Sequence, residues 1–146
     1  MAGTVYTPIW EANGVKRSFL VGTANITLGD VVALDTSNAN TVVTGTEALA
    51  NVAIGVATEC RRTNLSIANS SAQVAAVNEY VTVTMSGVMN VTANGSITTG
   101  NLISAANDGE VLAQTIGAGN YASVLGIALS NASNTEIVKV LFTRGA

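Results

Sequence analysis

Histidine is absent from this sequence, and cysteine (Cys60), proline (Pro8) and tryptophan (Trp10) each occur once. Without an imidazole, the commonest general base at neutral pH and the triads built on it are excluded. A lone thiol can form no internal disulfide and has no histidine or second cysteine with which to hold a metal. Charge is scarce too: 10% of residues are Asp, Glu, Lys or Arg, against roughly 25% in an ordinary soluble domain. The six cations, Lys16, Arg17, Arg61, Arg62, Lys139 and Arg144, are scattered, and the net charge is −3 with an isoelectric point near 4.6. That distribution offers no electrostatic footprint for nucleic acid, so no nucleic-acid partner is expected. No apolar run approaches the roughly 20 residues of a membrane-spanning helix, because Asn, Thr, Ser and Gly interrupt each one. The opening MAGTVYTPIWEANG has no basic residue ahead of an apolar stretch, so neither a secretory signal nor a membrane role is expected.

What is present points to strands. Apolar residues make up 48% of the 146, yet aromatics only 4%. A core must therefore be built from Val, Ile, Leu and Ala, side chains that pack well on a pleated surface. A chain of this length fits one domain with a core that needs no disulfide staple. With mean hydropathy of +0.42 and so little charge, the surface reads as polar, uncharged and partly covered by partners.

The second half of the chain echoes the first. ITLGDVV from Ile26 matches ITTGNLI from Ile97, 71 residues later, and IGVA from Ile54 matches LGIA from Leu125 at the same spacing. Gly29 thereby falls on Gly100 and Gly55 on Gly126, four glycines read as structural. A third pair, EYVTVTM from Glu79 and EIVKVLF from Glu136, is spaced by 57, so the first copy carries about fourteen extra residues between Ala57 and Glu79. That excursion holds Arg61-Arg62 and a Ser/Asn cluster, and a helical turn is considered over Ser71 to Val77. The copies span 26–88 and 97–142 within a single β domain over 23–146.

Each copy reads as strand, turn, strand, Gly-containing strand, loop and final strand, a β-meander. Period-two alternation supports this in YVTVTMSGV, where Val81, Val83 and Met85 share one face, and in EIVKVLF, where Val138, Val140 and Phe142 do. Asn94-Gly95, Asp108-Gly109 and Gly117-Ala118-Gly119 are turn signals. Gly55 and Gly126, inside apolar strands, suggest a bulge or a close approach of two backbones. Residues 1–22 differ in character and are read as an extended N-terminal arm. Tyr6, Pro8, Ile9 and Trp10 concentrate anchor-type side chains there, suited either to docking on a partner or to a strand folded onto the domain itself.

Carboxylates are the remaining candidates for chemistry: Glu11, Asp30, Asp35, Glu47, Glu59, Glu79, Asp108, Glu110 and Glu136. Nothing in their spacing selects a catalytic pair. Asp30 with Asp35, or Asp108 with Glu110, are the only close pairs and neither resembles a calcium loop. The Gly117 to Asn120 stretch lacks a phosphate-cradling pattern. No catalytic residue, cofactor or metal is expected, and the chain reads as a binding protein with no enzymatic activity.

The strand pattern at Ile26 to Val32, Val52 to Ala57, Tyr80 to Val88, Leu125 to Leu129 and Val138 to Phe142 resembles the head decoration, or cement, proteins of tailed bacteriophages. The resemblance implies a compact β-barrel or β-tulip domain, homotrimeric, on the outer surface of an expanded viral capsid. Tyr6, Pro8, Ile9 and Trp10 would be the capsid-binding arm and the major capsid protein the partner. The trimer, formed through sheet edges, would bridge capsid subunits and stabilise the head against the pressure of packaged DNA. A carbohydrate-binding or adhesive module is the alternative.

Overall fold

A computed structural model of the chain describes residues 10–61, 73–115 and 121–144. The fold is all-β. Thirteen strands are found among the described residues: β1 (Trp10–Asn13), β2 (Lys16–Val21), β3 (Ile26–Thr27), β4 (Val31–Leu34), β5 (Thr41–Thr44), β6 (Ala53–Cys60), β7 (Val74–Ala75), β8 (Tyr80–Thr84), β9 (Gly87–Thr92), β10 (Leu102–Ala105), β11 (Val111–Gln114), β12 (Gly126–Ala128) and β13 (Ile137–Phe142). Three short 3-10 helices, at Glu47–Val52, Asn107–Gly109 and Tyr121–Ser123, interrupt them.

Five strands close a barrel in the order β2-β5-β4-β6-β8, and six form a sheet in the order β1-β9-β13-β12-β10-β11. The last five strands of that sheet repeat the barrel in reverse listing, with β9, β13, β12, β10 and β11 standing for β2, β8, β6, β4 and β5. In the barrel, β2 and β5 pair in parallel through Leu20 with Thr41 and Val21 with Val42. In the sheet, β9 and β11 meet at a single parallel bridge, Ala93 with Val111. The first unit is thus fully closed and the second is pinched at one point.

The duplication extends to individual bonds. Gly29 donates to Ala57 O and Gly100 to Ala128 O, both at 2.8 Å, while Ala57 donates to Asp30 O and Ala128 to Asn101 O, both at 2.9 Å. The same holds for the second spacing. Glu79 N–H bonds Ala76 O and Glu136 N–H bonds Ser133 O, both at 3.0 Å, and the residues before those glutamates, Asn78 and Thr135, are both left-handed at φ 69° and 70°. The order β5-β4-β6 refines the expected meander, because β6 returns to the free side of β4 instead of to β5.

Three sequence expectations are altered. From Trp10 onward the arm belongs to the domain: β1 pairs with β9 and β2 is a stave of the barrel. The segment YVTVTMSGV is two strands, broken where Ser86 O accepts Gly14 N–H (2.9 Å) and Ser86 Oγ accepts Val15 N–H (2.9 Å). Gly87 and Val88 consequently lie in the second unit. In place of a helical turn over Ser71 to Val77, Val74 and Ala75 form β7 against β3, with Ser71 and Ala72 outside the described residues.

Side chains fill the barrel: Phe19, Val21, Val32, Val42, Ala57, Val81 and Val83 form one buried cluster, so it is a packed core with no channel. The second cluster holds Met89, Val91, Ile103, Leu125, Val138, Val140 and Phe142, and also Val31, Ala33, Ala53 and Val56 from the outer side of β4 and β6. That explains an oddity of sequence. VVAL in β4 is continuously apolar because both its faces are covered, one by its own barrel and one by the neighbouring unit.

Candidate docking surfaces

Of the four residues expected to form the arm's anchor, Tyr6, Pro8 and Ile9 lie outside the described residues. Trp10 begins β1, with its backbone in register with Met89. The N-terminal segment therefore roots at the edge of the six-stranded sheet, since β1 has one neighbour.

The four glycines have two distinct reasons to be glycine. Gly29 and Gly100 occupy left-handed backbone at φ 97° and 92° in identical β-turns, with open space where a Cβ would point. Gly55 and Gly126 have no such dihedral. A Cβ on Gly55 would overlap the Thr84 carbonyl oxygen, and one on Gly126 the Leu141 carbonyl oxygen. The last strand of each unit thus lies backbone to backbone against the glycine strand, as the Val56↔Thr84 and Gly126↔Phe142 register shows.

The carboxylates group differently from their order in sequence. Asp30 and Asp35 sit at opposite ends of β4, and Asp35 is engaged in its own turn, accepting from Ser37 N (2.9 Å) and Asn38 Nδ2 (3.0 Å). Asp30 instead meets the β10–β11 hairpin of the other unit. A Cβ on Gly109 would lie 2.5 Å from the Asp30 Cβ, so the hairpin tip, left-handed at Asp108 (φ 60°) and Gly109 (φ 74°), rests directly on this side chain. Burial, reinforced by the Glu110 and Asp108 carboxylates, pushes the Asp30 carboxyl up from 3.8 to about 7. Among the described residues no three His, Cys, Asp or Glu side chains are grouped to hold a metal ion.

Charged side chains elsewhere tie strands and turns together. Lys16 pairs with Glu59 at 3.2 Å, Arg61 with Glu79 at 3.8 Å, and Arg17 lies over the Phe19 ring at 5.2 Å. A shallow open cleft of about 580 Å³ is lined by Glu59, Arg61, Asn78, Glu79 and Tyr80, the last of which is 61% exposed. Cys60 is half-buried beside it, its Sγ 3.9 Å from Val74 O. No helix among the described residues is long and apolar enough to cross a membrane.

Two features escaped the sequence reading. The first is the Asp30 contact, which pairs residues almost 80 positions apart with no local signal. The second is a buried hydroxyl pair, Thr58 Oγ1 with Thr84 Oγ1 at 2.8 Å, at the bulge where Thr58 is the extra residue of β6.

No protein-family model matches the sequence, and no curated protein matches it. Among solved structures, the chain is similar to the crystal structure of the head fiber gp8.5 N base in bacteriophage phi29, at 14% identity and a TM-score of 0.53. The match covers 89% of this chain and 94% of that one. The shared fold includes both units, since neither accounts for that coverage alone.

Proposed function

We propose that this chain is a structural component of a virus particle, a head-associated protein that binds the outer surface of an expanded capsid as a homotrimer. In this reading it bridges major capsid protein subunits and stabilises the shell against the pressure of packaged DNA. It is a binding protein with no catalytic role. The observation that carries the reading is the fold shared along nearly the whole chain with the base of a phage head fiber. The sparse charge and apolar outer side chains support it, since large assembly contacts deplete charge at their centres.

The segment with Tyr6, Pro8 and Ile9, rooted by Trp10 at the sheet edge, is the proposed contact with the major capsid protein. Deleting residues 1–9 keeps β1 and is the clean test. The truncated protein should fold and yet fail to co-sediment with expanded shells, whereas the intact chain co-sediments with expanded and not with unexpanded ones. Equal binding by both proteins would refute the arm, and binding by neither would refute the capsid reading.

The exposed Tyr80 beside Glu59, Glu79 and Asn78 favours one alternative, an adhesive or carbohydrate-binding module, because sugars stack on aromatic faces flanked by polar groups. A glycan array read with the wild type and Tyr80→Ala separates the two.

A further inference from the structure

The two units carry the same outward row of residues across their strands, in the same register. In the first it runs Val31, Val56, Thr84, Lys16 across β4, β6, β8 and β2. In the second it runs Leu102, Ile127, Leu141, Val88 across β10, β12, β13 and β9. Each residue of the second row stands at the repeat position of its counterpart in the first.

Their environments are opposite at the first three positions, while Lys16 at the end of the first row is exposed. Val31, Val56 and Thr84 are fully buried, the two valines beneath the side chains of the second unit. Leu102, Leu141 and Val88 are only half-buried, and Ile127 is 38% exposed. Side-chain chemistry runs against these environments. The covered Thr58 and Thr84 are polar and satisfy one another, while their counterparts Leu129, 42% exposed, and Leu141 are apolar. Isolated surface leucines are ordinary, but a contiguous apolar row across four paired strands marks an interaction surface.

From this inversion we infer that the outer row of the second unit is a self-association surface, covered in the assembled protein by a second copy of this chain. The occupant is argued from the molecule itself: the valines of the same row in the first unit, Val31 and Val56, are already covered by a β unit of this very fold. Within the chain that contact is anchored by Gly109 of the second unit, which donates to Gly45 O of the first at 3.1 Å, whereas Asn38, the repeat counterpart of Gly109, bonds Asp35 in its own turn. This inference rests on the homo-oligomeric reading above and assigns the surface responsible.

Sedimentation velocity of the full chain over a concentration series tests it, with Ile127→Glu, Ile127→Thr and, on the outer face of the barrel, Tyr80→Thr. The wild type should assemble. Removing one buried Ile side chain should weaken assembly about 10-fold to 100-fold for Ile127→Thr and more for Ile127→Glu, while Tyr80→Thr stays within about two-fold, a spread ordinary for rim positions. Circular dichroism checks folding. Should the glutamate variant not fold, the threonine variant decides, because threonine suits a strand and adds no charge. A wild type that is monomeric throughout, or Ile127→Thr assembling as the wild type does, overturns the inference. Shell co-sedimentation separates the two ideas: a monomer that still binds expanded shells sinks this inference alone, and an Ile127-dependent oligomer that binds no shell sinks the capsid reading alone.

Discussion

Replacing Asp30 by Asn should stabilise the protein, and by an amount that depends on pH. Asp30 sits under the Gly109 hairpin with Glu110 and Asp108 nearby, and its carboxyl is pushed up from 3.8 to about 7. For an acid whose folded pKa is raised, the folded state prefers the proton. The penalty is therefore absent below pH about 4, where both folded and unfolded chains are protonated, and grows between about 4 and 7. It is constant above that, where folding must bury a charge. A shift of about three units corresponds to about 4 kcal/mol at most, and the side chain's residual exposure lowers it to roughly 2–4 kcal/mol through solvent screening. The repeat supplies the control substitution, because position 101 in the second unit is already Asn, its Oδ1 accepting Thr98 N–H at 2.8 Å. Urea or thermal unfolding of wild type and Asp30→Asn at pH 3, 5.5, 7 and 8.5 should give curves that coincide at pH 3 and diverge upward. At about 2–4 °C per kcal/mol the variant should lead by roughly 4–16 °C at pH 8.5. A difference independent of pH, or a variant less stable than wild type at pH 8.5, would refute the electrostatic reasoning.

Thr135 is left-handed at φ 70° where its counterpart is Asn78, and a β-branched residue is strained there; Thr135→Asn should raise stability by about 0.5–1 kcal/mol in urea melts. Gly126→Ala should cost roughly 2–4 kcal/mol, because its Cβ meets the Leu141 carbonyl oxygen and backbone must move. Gly55→Ala should behave alike, while Gly29→Ala, with open space and φ 97°, should cost only the dihedral strain, about 1 kcal/mol. In the Thr58–Thr84 pair, Thr84→Val alone should cost about 1–2 kcal/mol, and the double change to Val should recover most of it, as a double-mutant cycle would show.

The parts of the fold legible in sequence are those with local chemistry. The I-T-x-G turns, the Asp108-Gly109 hairpin and the strand glycines each carry a residue whose backbone or size requirement is visible. Legibility failed where partners far away decide. β2 and β9, KRSFLV and GVMNVT, share no identity, and only their ladders show that they are counterparts. The alternation from Val81 holds up to Ser86, so the contacts of Ser86 with Gly14 and Val15, where the chain leaves the barrel, left no mark on that stretch. Around Val74 the apolar spacing suited a helical turn, yet pairing with Ile26 and Thr27 prevails, because tertiary partners override a weak local preference. Among the candidate site residues, Asp30 was visible as an acid at a turn, but its neighbours in space belong to the other copy.

Divergence between the copies is itself physical evidence about where contacts differ. Inward positions keep their character: Ile26 and Ile97, Val32 and Ile103, Ala57 and Ala128, Val81 and Val138, Val83 and Val140 are buried and apolar in both. Their environment is the same, a filled β interior where a change of one methylene is felt. Outward positions differ, with Thr58 and Thr84 buried in the first unit and their counterparts Leu129 and Leu141 exposed and half-buried in the second. A drift toward polar residues on the exposed copy would follow from solvent alone. The drift runs the other way, with the apolar side chains on the row that the described residues leave partly open, which is what the proposed self-association surface requires.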